Sequence, residues 1–227
     1  MELRLAEGAS LEVSICPALT YCRQTFNWSA AVQMLKKQRA RGVSRKGKHF
    51  EANRDTACYA IRFPTNEELS LVLIVNGYGP EDHIRHHADD EKQLLPKAPI
   101  VTYSFGRPVT FEIRKKRTKA SWKVDTEDGQ RIAMMGAKFQ KLFTHGIPAS
   151  RGRGYRMSVT ARLCRLKQTH AYTFGAMSIP IKWMSGPDDD ARDHVWSFVK
   201  QCCKDALPFI EQEWEASNEP PWKRRRQ

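Results

Sequence analysis

No apolar run in this sequence approaches the roughly 20 residues that span a bilayer, so no membrane-spanning helix is expected. The N-terminus offers no targeting signal: Glu2, Glu7 and Glu12 interrupt its apolar residues, which suits neither a secretory segment nor an Arg-rich transit peptide. An intracellular protein is the expectation. There is no Cys-x-x-Cys pair, and Cys16, Cys22, Cys58, Cys164, Cys202 and Cys203 are read as reduced thiols rather than a disulfide framework or a zinc site. No internal repeat stands out, which argues against repeat architectures. Acids are in short supply, with 25 Asp and Glu against 38 Lys and Arg.

That last deficit is the most informative. A net charge of +13 and a pI near 9.6 predict an anionic partner, nucleic acid first and an acidic membrane surface second. With 41% apolar and 28% charged residues over 227 positions, the chain reads as a soluble globular protein, one large β-rich domain or two small ones.

Along the chain, Leu3 and Leu5, then Leu11, Val13 and Ile15, suggest short strands, and Ser29 caps a helix expected over 29–37. Between 36 and 54, eight cations face the single acid Glu51, with His49 and Phe50 inside the run and Tyr59 after it. Cations that hold phosphates beside aromatics that stack on bases favour a nucleic-acid contact over a plain solvated loop. Strand patterns follow at 69–75, 100–105 and 109–114, the last two read as a hairpin around Gly106-Arg107-Pro108. A second basic cluster (Arg114, Lys115, Lys116, Arg117, Lys119, Lys123) ends that hairpin, and 131–135 reads as a further strand. Residues 164–187 connect, with a strand near 177–183, to an amphipathic helix over 188–205 and a basic tail at 222–227.

Two patterns carry chemistry. His87 and Asp89 stand two positions apart, and on extended backbone such residues project to the same side and can reach one ion. His86 leaves a register ambiguity, which the spacing to Asp89 resolves in favour of His87. A 2-His-1-carboxylate triad, which leaves iron(II) open positions, needs a further histidine from a neighbouring strand, and His145 is the candidate. In 155–163, alternation puts Arg156, Ser158, Thr160 and Arg162 on one face and Met157, Val159, Ala161 and Leu163 on the other. Two arginines on an interior face require anionic or metal-site neighbours, because an unpaired buried charge costs several kcal/mol or more.

Taken together, Asn76-x-Tyr78, Asp82-x-Ile84-x-x-His87-x-Asp89-Asp90-Glu91, Pro99-Ile100, Ser104-Phe105-Gly106, Phe111-x-x-Arg114, His145 with Pro148, and Arg156-x-Ser158-x-Thr160-x-Arg162 resemble the AlkB family of iron(II)- and 2-oxoglutarate-dependent dioxygenases in content and order. The resemblance runs from 76 to 162, and 36–63 looks like a short version of that family's nucleotide-recognition lid, of the compact kind found in plant RNA virus polyproteins. It implies that His87, Asp89 and His145 are the catalytic iron ligands. Arg156 would anchor the distal carboxylate of 2-oxoglutarate, with Asn76 and Tyr78 as further cosubstrate contacts, and Arg162 marks the family. Ser158 stands where the family usually has Asn, which shortens the contact made there. The implied substrate is a flipped base, stacked on His87 and on a lid aromatic for which Phe50, Tyr59 and Trp28 are candidates, with Asp90 and Glu91 beside it.

The reaction this implies is demethylation of N-methylated bases in RNA or single-stranded DNA, using iron(II), O2 and 2-oxoglutarate and releasing formaldehyde, succinate and CO2. Two alternatives differ from it: the same iron site acting on a protein or small molecule, and a nucleic-acid-binding module with an inactive site. The second is disfavoured because all three ligands and both arginines are present. The implied fold is a β-rich α+β double-stranded β-helix, or jelly roll, with flanking helices, in a monomer. Its expected parts are an N-terminal segment and lid (1–63), a catalytic core (64–185), and a C-terminal helix with a basic tail (186–227).

Overall fold

A computed structural model describes residues 1–15, 56–63, 66–80, 82–149, 154–166, 170–174 and 177–183. The expected helices at 29–37 and 188–205, the basic run at 36–54 and the basic tail lie outside them. β1 (Glu2–Ala6) and β2 (Ala9–Ile15) form an antiparallel hairpin. β3 (Thr56–Phe63) and β4 (Asn66–Tyr78) form another, which runs through the division expected at 63/64. Then come β5 (Ile84–His87), β6 (Ile100–Gly106), β7 (Val109–Lys115), β8 (Ser121–Thr126) and β9 (Gln130–Met135). The single helical turn α1 (Phe139–Leu142) leads into β10 (Phe143–Ile147), β11 (Arg156–Arg165), β12 (Ala171–Phe174) and β13 (Met177–Trp183).

These strands form two sheets. The larger has the order β1-β2-β9-β6-β11-β4-β3-β13-β12, and the smaller β5-β10-β7-β8. Strands β4 to β11 make the double-stranded β-helix, because β4, β11, β6 and β9 are neighbours in one sheet while β5, β10, β7 and β8 form the other. The hairpin expected between β6 and β7 is not there. Gly106, at φ +88°, starts the passage from the larger sheet to the smaller, so β6 pairs with β11 and β9 while β7 pairs with β10 and β8. Glycine and proline mark a turn, but they do not specify whether the strands on either side pair. The hairpin in this region is β7–β8, and the second basic cluster lies at its tip.

Alternation fills the space between the sheets. Val109, Phe111 and Ile113 of β7 pack with Val124, Ile132, Met134, Phe139 and Phe143 into one apolar core, while Thr110, Glu112 and Arg114 face the other way. Each such buried side chain stabilises the fold by about 1.5–3 kcal/mol. A second cluster, including Cys58, Ile74, Cys164, Tyr172 and Ile179, lies across β3, β4, β11, β12 and β13. Among the described residues no helix is long and apolar enough to cross a membrane.

Candidate metal centre

The register of β4, β11 and β6 sets three rows of neighbours on one face of the larger sheet: Tyr78, Arg156 and Gly106; Asn76, Ser158 and Ser104; Ile74, Thr160 and Thr102. With Arg162, all of these except Gly106 and Ser104 line a cleft, and His87, Asp89, Phe111, His145 and Ile147 form its other side. The arginine face expected from alternation on β11 is therefore the wall of the cleft.

His87 and His145 are direct cross-strand partners in β5 and β10. Two residues further along β10, however, Ile147 is opposite Ile84, three residues back on β5. The additional residue on β5 is a β-bulge. It breaks the alternation, so that Ile84 and His87 both line the cleft. His86 is turned aside, and its Nε2 meets Glu112 Oε2 at 3.2 Å. Gly146 sits against the bulge: a Cβ there would lie 2.8 Å from the Ile84 carbonyl oxygen and 3.0 Å from the His86 backbone nitrogen.

His87, Asp89 and His145 each bring a ligand atom within 4.8 Å of the others. His87 Nδ1 lies 2.9 Å from the Arg85 carbonyl oxygen, which can only accept, so Nδ1 carries the proton and Nε2 keeps its lone pair for a metal. Nε2 of His87 stands 3.6 Å from Asp89 Oδ1, and Nε2 of His145 stands 3.7 Å from Asp89 Oδ2. These gaps are too long for hydrogen bonds, and Asp89 Oδ2 is buried with no hydrogen-bond donor. A buried carboxylate whose two oxygens each face an imidazole nitrogen in this way fits a divalent cation, and two nitrogens with one carboxylate is the donor set of a non-haem iron(II) site.

The electrostatics keep His145 and Asp89 in their binding forms. Burial lowers the His145 pKa to about 3, with Asp89 opposing the shift, so its imidazole is neutral; the ring stacks on Phe111 at 5.4 Å. Burial alone would raise the Asp89 pKa, but Arg162 foremost, then His145 and His87, hold it below the usual carboxylate value. Asp89 is only 2% exposed, and its backbone N–H donates to Gln140 Oε1 at 3.0 Å, which ties the ligand to α1.

The two arginines of β11 differ sharply. Arg162 donates to Asp89 Oδ1 and to Glu91 Oε1, both at 2.8 Å, and these two carboxylates outweigh burial and raise its pKa. Arg156 is equally buried, yet it donates to Ser104 Oγ at 3.1 Å, has its guanidinium 4.9 Å from the Tyr78 ring centre, and meets no carboxylate among the described residues. Its burial lowers its pKa. A buried guanidinium without an acid is a ready anchor for an anionic ligand in the cleft. Ser158 Oγ donates to the Tyr78 hydroxyl at 3.5 Å, and Asn76 is buried beside it.

The structure thus brings Asn76, Tyr78, His87, Asp89, His145, Arg156, Ser158 and Arg162 together. Glu91 stands behind them on Arg162, where burial raises its pKa against the pull of that arginine, and Asp90 is exposed. Tyr59 is not in the cleft. It is paired with Leu73, whereas its neighbour Cys58 is paired with the cleft residue Ile74, so alternation puts Tyr59 on the opposite face of the sheet. Phe50 and Trp28 lie outside the described residues. Thr102, whose hydroxyl lies 3.3 Å from that of Thr160, and Ile179 also line the cleft and were not expected from sequence. Thr102 and Ser104, two polar residues on one face of an otherwise apolar strand, were the available signal for β6.

Fold and site define a jelly-roll oxygenase that uses non-haem iron(II). The family model of the 2OG-Fe(II) oxygenase superfamily matches residues 19–167, and the chain belongs to that superfamily, whose members use iron(II), 2-oxoglutarate and O2. Among solved structures, OsALKBH1 overlays with a TM-score of 0.38 and 14% identity over 70% of this chain and 100% of that one. An oxidoreductase of the 2OG-Fe(II) oxygenase family from Burkholderia pseudomallei overlays with a TM-score of 0.34 and 15% identity over 46% of each chain. A prolyl-4-hydroxylase from Pseudomonas putida gives 0.31 and 13% over 42% of this chain and 52% of that one. No curated protein sequence matches the chain.

Proposed function

We infer that the protein removes methyl groups from the nitrogens of nucleic-acid bases, as a member of the AlkB branch of the superfamily. The observation that carries this reading is Arg162. It resembles the arginine that marks the AlkB family, and it binds both Asp89 and Glu91, so the stretch His87 to Glu91 and the strand from 156 to 162 act as one unit. The net charge of +13 supports a polyanionic substrate over a peptide.

In this reading His87, Asp89 and His145 hold iron(II), and Arg156 takes the distal carboxylate of 2-oxoglutarate as a charge-assisted pair, with Tyr78 and Asn76 as further hydrogen-bonding partners. With its cosubstrates bound, the centre supplies the hydroxylation of an N-methyl carbon; the resulting N-hydroxymethyl group leaves as formaldehyde, and 2-oxoglutarate becomes succinate and CO2. Arg162 keeps Asp89 ionised and fixed, while Phe111, Ile147 and Ile179 give the cleft dry walls. Single-stranded substrate suits the site because flipping a base out costs least there.

The test is a comparison of methylated oligonucleotides with peptides in the presence of iron(II) and 2-oxoglutarate. Formaldehyde and succinate should rise together with the oligonucleotide, and Asp89→Ala should abolish both. Succinate stimulated by peptide alone, or demethylation that survives Asp89→Ala, would overturn the reading.

A further inference from the structure

We propose that the β7–β8 hairpin is a docking ridge for the phosphate backbone of a single-stranded polynucleotide, holding nucleotides that flank the one delivered to the metal centre. The proposal rests on the reading of the protein as a nucleic-acid enzyme, but it concerns a surface outside the cleft and is tested without catalysis.

The hairpin carries Arg114, Lys115, Lys116, Arg117, Lys119 and Lys123 against two acids, Glu112 and Asp125. Both acids are already engaged. Glu112 is nearly buried between His86 and Arg114, and Asp125 accepts from the Thr110 hydroxyl at 2.7 Å. Lys116 is occupied as well, donating to the Gln140 carbonyl at 2.8 Å. At the tip, Arg117 and Lys119 are exposed and meet no carboxylate among the described residues, and Lys123 is exposed on the strand behind them. The positive potential of the tip is therefore left for a partner.

The backbone of the tip is built to present that charge. Arg117 adopts φ +62°, in the left-handed region that glycine or asparagine usually occupies. The Thr118 amide and hydroxyl both close on the Lys115 carbonyl, and the Lys116 amide donates to the Leu142 carbonyl at 2.8 Å. A turn that needed only its shape would take glycine at 117; arginine accepts the strain and adds a cation. Edge protection does not account for the cluster. β8 is the outer strand of the smaller sheet, and a lysine such as Lys123 on the strand itself serves that purpose, whereas Arg117 and Lys119 lie beyond the strands.

The ridge is also within reach of the site. Ile113 of β7 is paired with the metal ligand His145 on one side and with Trp122 on the other. At about 3.3 Å per residue, the tip lies on the order of 10–20 Å beyond that level, a span of a few nucleotides.

The experiment measures binding of an unmethylated single-stranded oligonucleotide, without iron or 2-oxoglutarate, at a series of salt concentrations. Arg117→Gly with Lys119→Ala, where glycine suits the backbone at 117, is compared with wild type and with Arg4→Ala with Lys97→Ala, which removes the same charge elsewhere. Lys119→Ala with Lys123→Ala serves as the second hairpin variant should the first unfold more readily. The hairpin variants should bind at least about fivefold more weakly near 0.1 M salt, with the slope of log K against log salt shallower by roughly 1.4 for two lost phosphate contacts. The control should stay within about twofold of wild type.

Equal losses in hairpin and control variants would reduce the effect to net charge and overturn the ridge, as would hairpin variants that bind like wild type. Hairpin-dependent binding to anionic lipid vesicles, with none to the oligonucleotide, would overturn it in favour of a membrane. If the oligonucleotide binds through the hairpin and methylated versions are never demethylated, the ridge stands and the demethylase reading falls. Demethylation with no role for the hairpin gives the reverse.

Discussion

Arg156 and Arg162 share one face of β11, and of these two only Arg162 meets a carboxylate of the described residues. The same residue type six positions apart is thus put to two uses: Arg162 completes the acidic ligand shell, while Arg156 is left with its charge directed at the cleft.

Arg156→Lys should therefore raise the KM for 2-oxoglutarate by about 10–100-fold while changing kcat much less, because a point charge replaces a planar fork at an anchor that does not take part in the chemistry. Initial rates of succinate formation over a range of 2-oxoglutarate concentrations check this. A fall in kcat at unchanged KM would remove Arg156 from that role.

Gly146→Ala should damage the metal centre from behind. The added methyl group collides with the backbone of β5 at Ile84 and His86, which cannot move without shifting His87. Overpacking of this kind costs about 1–3 kcal/mol. Thermal unfolding of the metal-free protein should show that loss, and titration with cobalt(II) or iron(II) should show weaker binding.

His86→Ala and His87→Ala separate the two adjacent histidines. Loss of His87 should cut iron-dependent turnover by at least about 100-fold, since a direct ligand is worth more than the outer partners of one. Turnover in His86→Ala should stay within about threefold of wild type, because Arg114 remains on Glu112. Equal losses would mean that the bulge does not set the register.

The metal-free protein should lose stability between pH 7 and pH 5 through His145. Its folded pKa is about 3, the result of burial. In the unfolded chain the imidazole takes up a proton near pH 6.5. A folded pKa below the unfolded one means that this stability is complete above about pH 6.5 and drains away as the pH falls toward about 3. The folded pKa of Asp89 lies below the ordinary carboxylate value of 3.8, so its contribution is lost only in stronger acid, outside that window. Unfolding midpoints measured across pH 5–7 should slope downward on acidification, and His145→Asn should flatten the slope.

The sequence made β11 legible because its alternation is strict and its polar face carries two arginines, and β4 legible as an apolar run. The triad was legible from the two-residue spacing of His87 and Asp89 together with the order of the motifs. β8 was hidden because Trp122 and Val124 alternate with Lys123 and Asp125 beside a dense basic cluster, so the charges masked the period. The passage between β6 and β7 was misread as a hairpin because local turn chemistry carries no information about which sheet receives the next strand. The position of Tyr59 depends on its register with β4, a non-local pairing that composition does not encode. The bulge in β5 left one trace in the sequence, Gly146, which acquires its meaning only when a neighbouring strand is seen lying across it.

The hydrogen bond from Arg162 to Asp89 Oδ1 pins the carboxylate, because its two oxygens cannot exchange places without breaking it. Oδ2 is thereby the oxygen left without a donor, 3.7 Å from His145 Nε2. Arg162 thus sets the rotation of the Asp89 carboxylate that a bound cation would meet, and it does so from the strand that also carries Arg156.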